Sequence, residues 1–189
     1  MVEPREALKK GDGVLVVHVQ VDFCPGGALP APEGDKVVPV LNRWIEAAQE
    51  LGIPVYASRD WHPQRHVSFQ AEGGEWPPHC LQDTEGARFH PDLRLPPDVV
   101  LVTSGVRFDF DQYSAFKETG FAALLRKDRV KHLWLGGLVL EYCVMESALG
   151  ARAEGFEASV IKAATRSLTK EGEKEAVKKL RGAGVKIVD

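Results

Sequence analysis

The chain has 189 residues, with 24 lysines and arginines against 27 aspartates and glutamates and a net charge of −3 with neutral histidines. That balance gives no basic stripe for nucleic acid and no charged tail, and the length suits one domain, residues 1–189, with a sizeable core. The first residues, 1–10, are charged and lack an apolar stretch, so neither a signal peptide nor a membrane span is expected; three dispersed cysteines, Cys24, Cys80 and Cys143, suit a reducing cytoplasm.

In chain order, the run Val-Leu-Val-Val-His-Val within residues 13–20 reads as a strand buried on both faces. A Gly/Pro-rich loop follows over 24–34. Val37, Leu41, Trp44, Ile45, Ala48 and Leu51 then recur at helical spacing behind Asp35. Residues 53–58 form a second expected strand. The stretch 60–97 is irregular and rich in His, Pro, Gly and Trp, and so long an insertion in a compact domain is usually functional. A strand is expected over 99–103 and a helix over 116–127. The apolar run 133–139 reads as a fourth strand, feeding a helix that opens at Cys143 and runs to Ala153. Strands over 156–162 and 185–188 flank a charged helix over 170–180. Strand and helix alternate, which predicts an α/β fold in three layers: a mainly parallel six-stranded sheet with helices on both faces.

Ligands of such sheets sit beyond the carboxyl ends of the strands. His18 to Asp22, Asp60 to His62, Ser104, and Val139 to Cys143 lie at those ends and would line one crevice. A cysteine between a strand and a helix start meets free N–H groups that favour a thiolate, so Cys143 reads as a nucleophile. Asp60 and His62, with His79 further on, offer a carboxylate and two imidazoles, a donor set that would accept zinc, iron or manganese. Solvated loop histidines are the plain alternative, and His66 and His90 lie in the same insertion.

The stretches Gln20-Val-Asp-Phe-Cys-Pro-Gly-Gly-Ala-Leu, Asp60-Trp-His-Pro, Trp76-Pro-Pro-His-Cys, Asp111-Gln-Tyr-Ser-Ala-Phe and Tyr142-Cys143-Val resemble the nicotinamidase/pyrazinamidase branch of the isochorismatase-like hydrolases. The resemblance implies that Cys143 attacks a carboxamide carbon, releases ammonia and forms a thioester that water cleaves. It implies oxyanion donors at the Val139 and Cys143 N–H groups, with a cis peptide at Leu138–Val139. It assigns Asp60, His62 and His79 to one divalent metal, with zinc the first choice, which would bind a pyridine nitrogen and position water. Phe23, Trp76 and Tyr113 become the walls around the ring, although ordinary packing would also account for them. The implied partner is a small-molecule substrate, with no nucleic acid and no membrane; a homo-oligomer stays open.

Two positions depart from that pattern. The family's general-base aspartate is His18 here, and its catalytic lysine, nine positions before Tyr113, is Ser104. The triad becomes His18, Ser104 and Cys143. A general base is worth about 100- to 10,000-fold in rate, and a lost ammonium thins the thiolate population. A cysteine–histidine pair is itself a working nucleophile, so His18 is either a substitute base or a space-filling residue. Neither Lys117 nor Arg107 occupies the lysine position. Three functions therefore stay open: a metal-dependent amidohydrolase on nicotinamide or a related aromatic carboxamide, a homologue that binds nicotinamide or metal without turnover, and a cysteine hydrolase with a shifted substrate.

Overall fold

Six strands form one parallel sheet in a computed structural model that describes residues 2–189. They are β1 (Asp12–Val17), β2 (Val55–Asp60), β3 (Val100–Ser104), β4 (His132–Leu138), β5 (Glu157–Arg166) and β6 (Lys186–Val188), in the order β3-β2-β1-β4-β5-β6. Successive side chains of a strand point to opposite faces, and the two cores divide accordingly. Val14 and Val16 pack with Leu41, Trp44 and Ile45 of one helix layer, while Leu15 and Val17 pack with Phe121, Leu125, Ala148 and Leu180 of the other.

The first layer is α2 (Val37–Glu50), beside the short α1 (Pro4–Ala7); its buried Val37, Leu41, Trp44, Ile45 and Ala48 are the stripe expected from spacing. The second holds α3 (Phe121–Lys127), α4 (Met145–Ala153) and α5 (Lys170–Gly182). Thr169 caps α5 by accepting a 2.9 Å hydrogen bond from the Gly172 N–H. Among the described residues no helix is long and apolar enough to cross a membrane.

Three expectations need correction. The helix expected from residue 116 begins only at Phe121, because Gly120 ahead of it is left-handed at φ 71°. β5 runs to Arg166, past the expected end at 162, through a register shift opposite Leu135 and Gly137 that inserts extra residues into the ladder. Cys143 does not open an α-helix: it lies in a wider π-type turn, Leu140–Val144, that precedes α4. Such turns re-aim a helix entry and cluster at functional sites.

The order of strands reverses between β1 and β4, which places their carboxyl ends on either side of a crevice. Val17 pairs with Gly137 there, and a Cβ on Gly137 would collide with the Val17 carbonyl. Gly137 also has φ +133°, a conformation that side chains resist. Gly137→Ala should therefore cost at least about 3 kcal/mol of stability by strain and backbone displacement. Urea unfolding reads it, and a shift under about 0.5 kcal/mol, the usual range for an unconstrained surface site, would contradict the packing described.

Candidate active site

His18 ends β1 in a left-handed conformation, φ 45°, with its N–H donating to Ser58 O at 3.1 Å. This break turns the chain into Gln20, whose side chain holds Asp60 from both sides: its Nε2 donates to Asp60 O and its Oε1 accepts from Asp60 N, each at 2.8 Å. Asp22 does the same for the segment bearing His79. Its carboxylate accepts from Cys80 N at 2.7 Å and from Ala28 N at 3.1 Å.

Asp60, His62 and His79 come together as the metal trio requires. All three are buried, and one ligand atom of each lies within 4.8 Å of the others. His62 Nδ1 contacts Gly105 O at 3.1 Å and His79 Nδ1 contacts Pro77 O at 2.8 Å. Each carbonyl can only accept, so both Nδ1 atoms carry the proton, and in the neutral ring each Nε2 keeps its lone pair. That is how imidazoles are oriented for a metal. Without a cation, Asp60 at 3.7 Å favours a second proton on His62 Nε2. Gly105, at φ +68°, permits the close approach, since a Cβ there would strike the His62 ring. The donor set and its bracing fit a divalent ion such as zinc.

Burial pushes the His79 and His18 imidazoles down from their ordinary values, favouring the neutral form. Burial also works against protonated His62, but the hydrogen bond and charge of Asp60 outweigh it and raise that group. Burial would raise Asp60 too; the surrounding imidazoles, His18 first, instead hold it below the usual carboxylate range, so it remains the anion of the cluster.

Cys143 lines the same cavity as Asp60, His62, His79, Phe23 and Trp76. The preceding Leu138–Val139 peptide is cis, as the resemblance implied. Burial, then the charges of Asp60 and Asp111, push the thiol well above its ordinary value, with its own backbone N–H as the opposing pull. The thiolate-favouring start of a helix expected from sequence is thus outweighed here; a cation on the metal trio would act in the opposite sense.

Aromatic groups enclose the rest. Trp76 Nε1 donates to Tyr113 Oη at 2.9 Å, and Phe23 lies 5.5 Å from the His79 ring. Tyr142 also lines the cavity, 5.2 Å from Trp76 and 5.6 Å from Tyr113 between ring centroids. The sequence places Tyr142 at the crevice within the span 139–143 but gives it no part in the aromatic walls. Leu29, Leu168 and Gln112 line it as well; Leu29 and Gln112 stand in the quoted motifs without an assigned role, and Leu168 stands in none.

His18 and Ser104 lie behind this wall, each 1% exposed. A nitrogen of His18 is within 4.8 Å of Cys143 Sγ, but no hydrogen bond joins them. Ser104 Oγ donates to Asp60 Oδ1 at 3.0 Å, because β2 and β3 pair Asp60 with Ser104. The serine braces the Asp60 carboxylate and has no hydrogen bond to the thiol. Among the described residues no lysine or arginine lines the cavity. Lys117 sits over the Phe110 ring and Arg107 pairs with Asp109. His66 is satisfied by Ser68 and Phe110, and the His90 ring accepts from the Asp92 N–H, so neither joins the trio.

A family model described as the isochorismatase domain matches residues 12–189. A nicotinamidase of Escherichia coli is 37% identical over 169 residues, covering 78% of this chain and 79% of the relative. A nicotinamidase/pyrazinamidase of Mycobacterium tuberculosis is 28% identical, covering 93% and 97%. Among solved structures, a pyrazinamidase of Pyrococcus horikoshii in complex with zinc is 41% identical, with a TM-score of 0.92 over 95% of this chain and 99% of that one. A protein of L. infantum in complex with nicotinate is 30% identical, with a TM-score of 0.87 over 94% and 92%.

Proposed function

The chain belongs to the isochorismatase-like hydrolases, in their nicotinamidase/pyrazinamidase branch, and from that premise we propose that it hydrolyses the carboxamide of nicotinamide, or of a closely related aromatic amide, to the carboxylate and ammonia. The observation that carries this reading is the meeting of Cys143, the Asp60–His62–His79 trio and the aromatic walls in one cavity.

Phe23, Trp76, Tyr113 and Tyr142 offer flat surfaces to an aromatic ring, with the amide carbon turned toward Cys143. The neutral imidazole of His18 accepts the thiol proton after a small closing movement, and Sγ attacks the amide carbon. The N–H groups of Val139 and Cys143 hold the oxygen on which negative charge develops. His18 then returns the proton to the leaving nitrogen, giving ammonia and a thioester. Water adds to the thioester, releasing the acid and restoring the thiol. Ser104 fixes the Asp60 carboxylate and takes no part in the proton transfers. A zinc or similar divalent ion on Asp60, His62 and His79 would supply a Lewis acid for a ligand lone pair and positive charge near the thiol. The three free cysteines suit a reducing, cytoplasmic setting.

Ammonia release from nicotinamide by the chain loaded with one equivalent of zinc tests the reading. Turnover supports it; nicotinamide binding with no ammonia would instead support a second reading, a binding protein, which the raised Cys143 thiol and the missing His18–Sγ hydrogen bond favour. Amides, carbamates and esters in parallel separate the shifted-substrate alternative. His18→Asn should lower kcat by at least about tenfold, with a smaller change in KM, since a general base acts in the transition state. An unchanged kcat would remove His18 from the chemistry.

A further inference from the structure

We propose that His18, Asp60 and Cys143 form a second cation site, for a thiophilic divalent ion, sharing Asp60 with the first trio. A ligand atom of each lies within 4.8 Å of the others, and all three residues are buried. His18 Nδ1 points the same way: it is buried, lies 3.5 Å from Asp60 Oδ2, and has no hydrogen-bond partner. A buried imidazole nitrogen without a partner is a costly feature unless something occupies its lone pair.

The surroundings prepare that lone pair. Ser104 Oγ donates to Asp60 Oδ1 at 3.0 Å and lies 3.5 Å from His18 Nε2. The hydroxyl has one proton and faces two groups that only accept, Asp60 Oδ1 at 3.0 Å and Arg59 O at 3.2 Å; with the proton given to either, Oγ accepts from His18, which puts the ring proton on Nε2 and leaves Nδ1 free toward Asp60 and Cys143. Asp60 Oδ2 is 3.7 Å from His62 Nε2 and 3.5 Å from His18 Nδ1, so one carboxylate faces both histidines. The absence of lysine and arginine from the cavity lining leaves a carboxylate and a thiol with no resident cation among the described residues.

A thiolate, an imidazole and a carboxylate select zinc, cobalt or cadmium over magnesium or calcium. When the sulfur–metal bond forms, the Cys143 thiol gives its proton to solvent. Occupancy would hold the sulfur that the hydrolase reading uses as nucleophile. The site itself does not depend on that reading, so its test needs no substrate.

Metal-free full-length protein is titrated with cobalt(II) while the near-ultraviolet thiolate-to-cobalt charge-transfer band is followed, with circular dichroism as a control for folding. The band is expected in the wild type, in His79→Ala and in Cys80→Ala, and lost in Cys143→Ala and His18→Ala. Ser104→Ala should keep the band with affinity lowered about 10- to 100-fold, as for other outer partners of ligating groups. A wild-type protein that binds cobalt without a thiolate band, or a band that survives Cys143→Ala in folded protein, overturns the site.

Discussion

Cys143→Ala should lower nicotinamide turnover by at least about a thousand-fold, because removing a nucleophile leaves only binding and oxyanion stabilisation. The substitution deletes one sulfur from a side chain that is 6% exposed and leaves Asp60, His62 and His79 untouched. Metal and nicotinamide should therefore still bind, and the loss should fall on kcat. Ammonia measured under saturating nicotinamide reads this directly. A variant that keeps a tenth or more of the wild-type rate would place the chemistry elsewhere, with water activated at the metal trio as the obvious substitute.

The second large effect is a gain. His18→Asp combined with Ser104→Lys restores the aspartate and lysine of the family pattern, and turnover should rise by at least about tenfold, a part of the roughly 100- to 10,000-fold worth of a general base, because His18 already supplies the rest. His18 and Ser104 are neighbours, with Nε2 and Oγ 3.5 Å apart, so shrinking one side chain makes room for lengthening the other. The single changes should fail. His18→Asp alone sets a second buried carboxylate beside Asp60, whose Oδ2 is now 3.5 Å from the imidazole, with no cation to pair it. An unpaired buried charge costs about 3–5 kcal/mol. Ser104→Lys alone removes the hydroxyl that braces Asp60 and adds an ammonium that competes with a metal for the same carboxylate. Strong non-additivity between touching residues is thus expected, with only the double variant both stable and faster. Urea unfolding and ammonia release on all four proteins would show it; additive effects would mean that the two sites do not act on each other.

Most of the fold was legible because buried parallel strands are near-continuous apolar runs. Val14 to Val17 and Leu133 to Leu135 are fully buried or nearly so and announce themselves in composition. The α2 stripe was equally plain. The Leu140–Val144 turn was not, since one extra residue per turn leaves no mark in a five-residue segment. Nor was the extension of β5, which depends on a register shift against β4 and therefore on a partner strand. At the site, the motifs point to Asp60, His62 and His79, which the structure brings together, and it adds what holds them: Gln20 on Asp60, Asp22 on the chain beside His79, and Gly105 behind His62. Gln20 and Asp22 stood in a quoted motif without an assigned task. Ser104 changed most in meaning. Counting from Tyr113 places it at the family's lysine position, and the register that sets it opposite Asp60 turns its hydroxyl toward the Asp60 carboxylate. No linear spacing contains that pairing.

The most direct test asks whether a thioester still forms on Cys143 with His18 as its neighbour. Protein loaded with one equivalent of zinc, so that the sulfur is not held by a second ion, is mixed with nicotinamide, quenched in acid within one turnover, digested, and searched by mass spectrometry for a nicotinoyl group. The hydrolase account predicts that group on the peptide carrying Cys143, appearing with the first ammonia and decaying to nicotinate. Nicotinamide bound and recovered unchanged, with no acyl group on Cys143 and no ammonia, would contradict it.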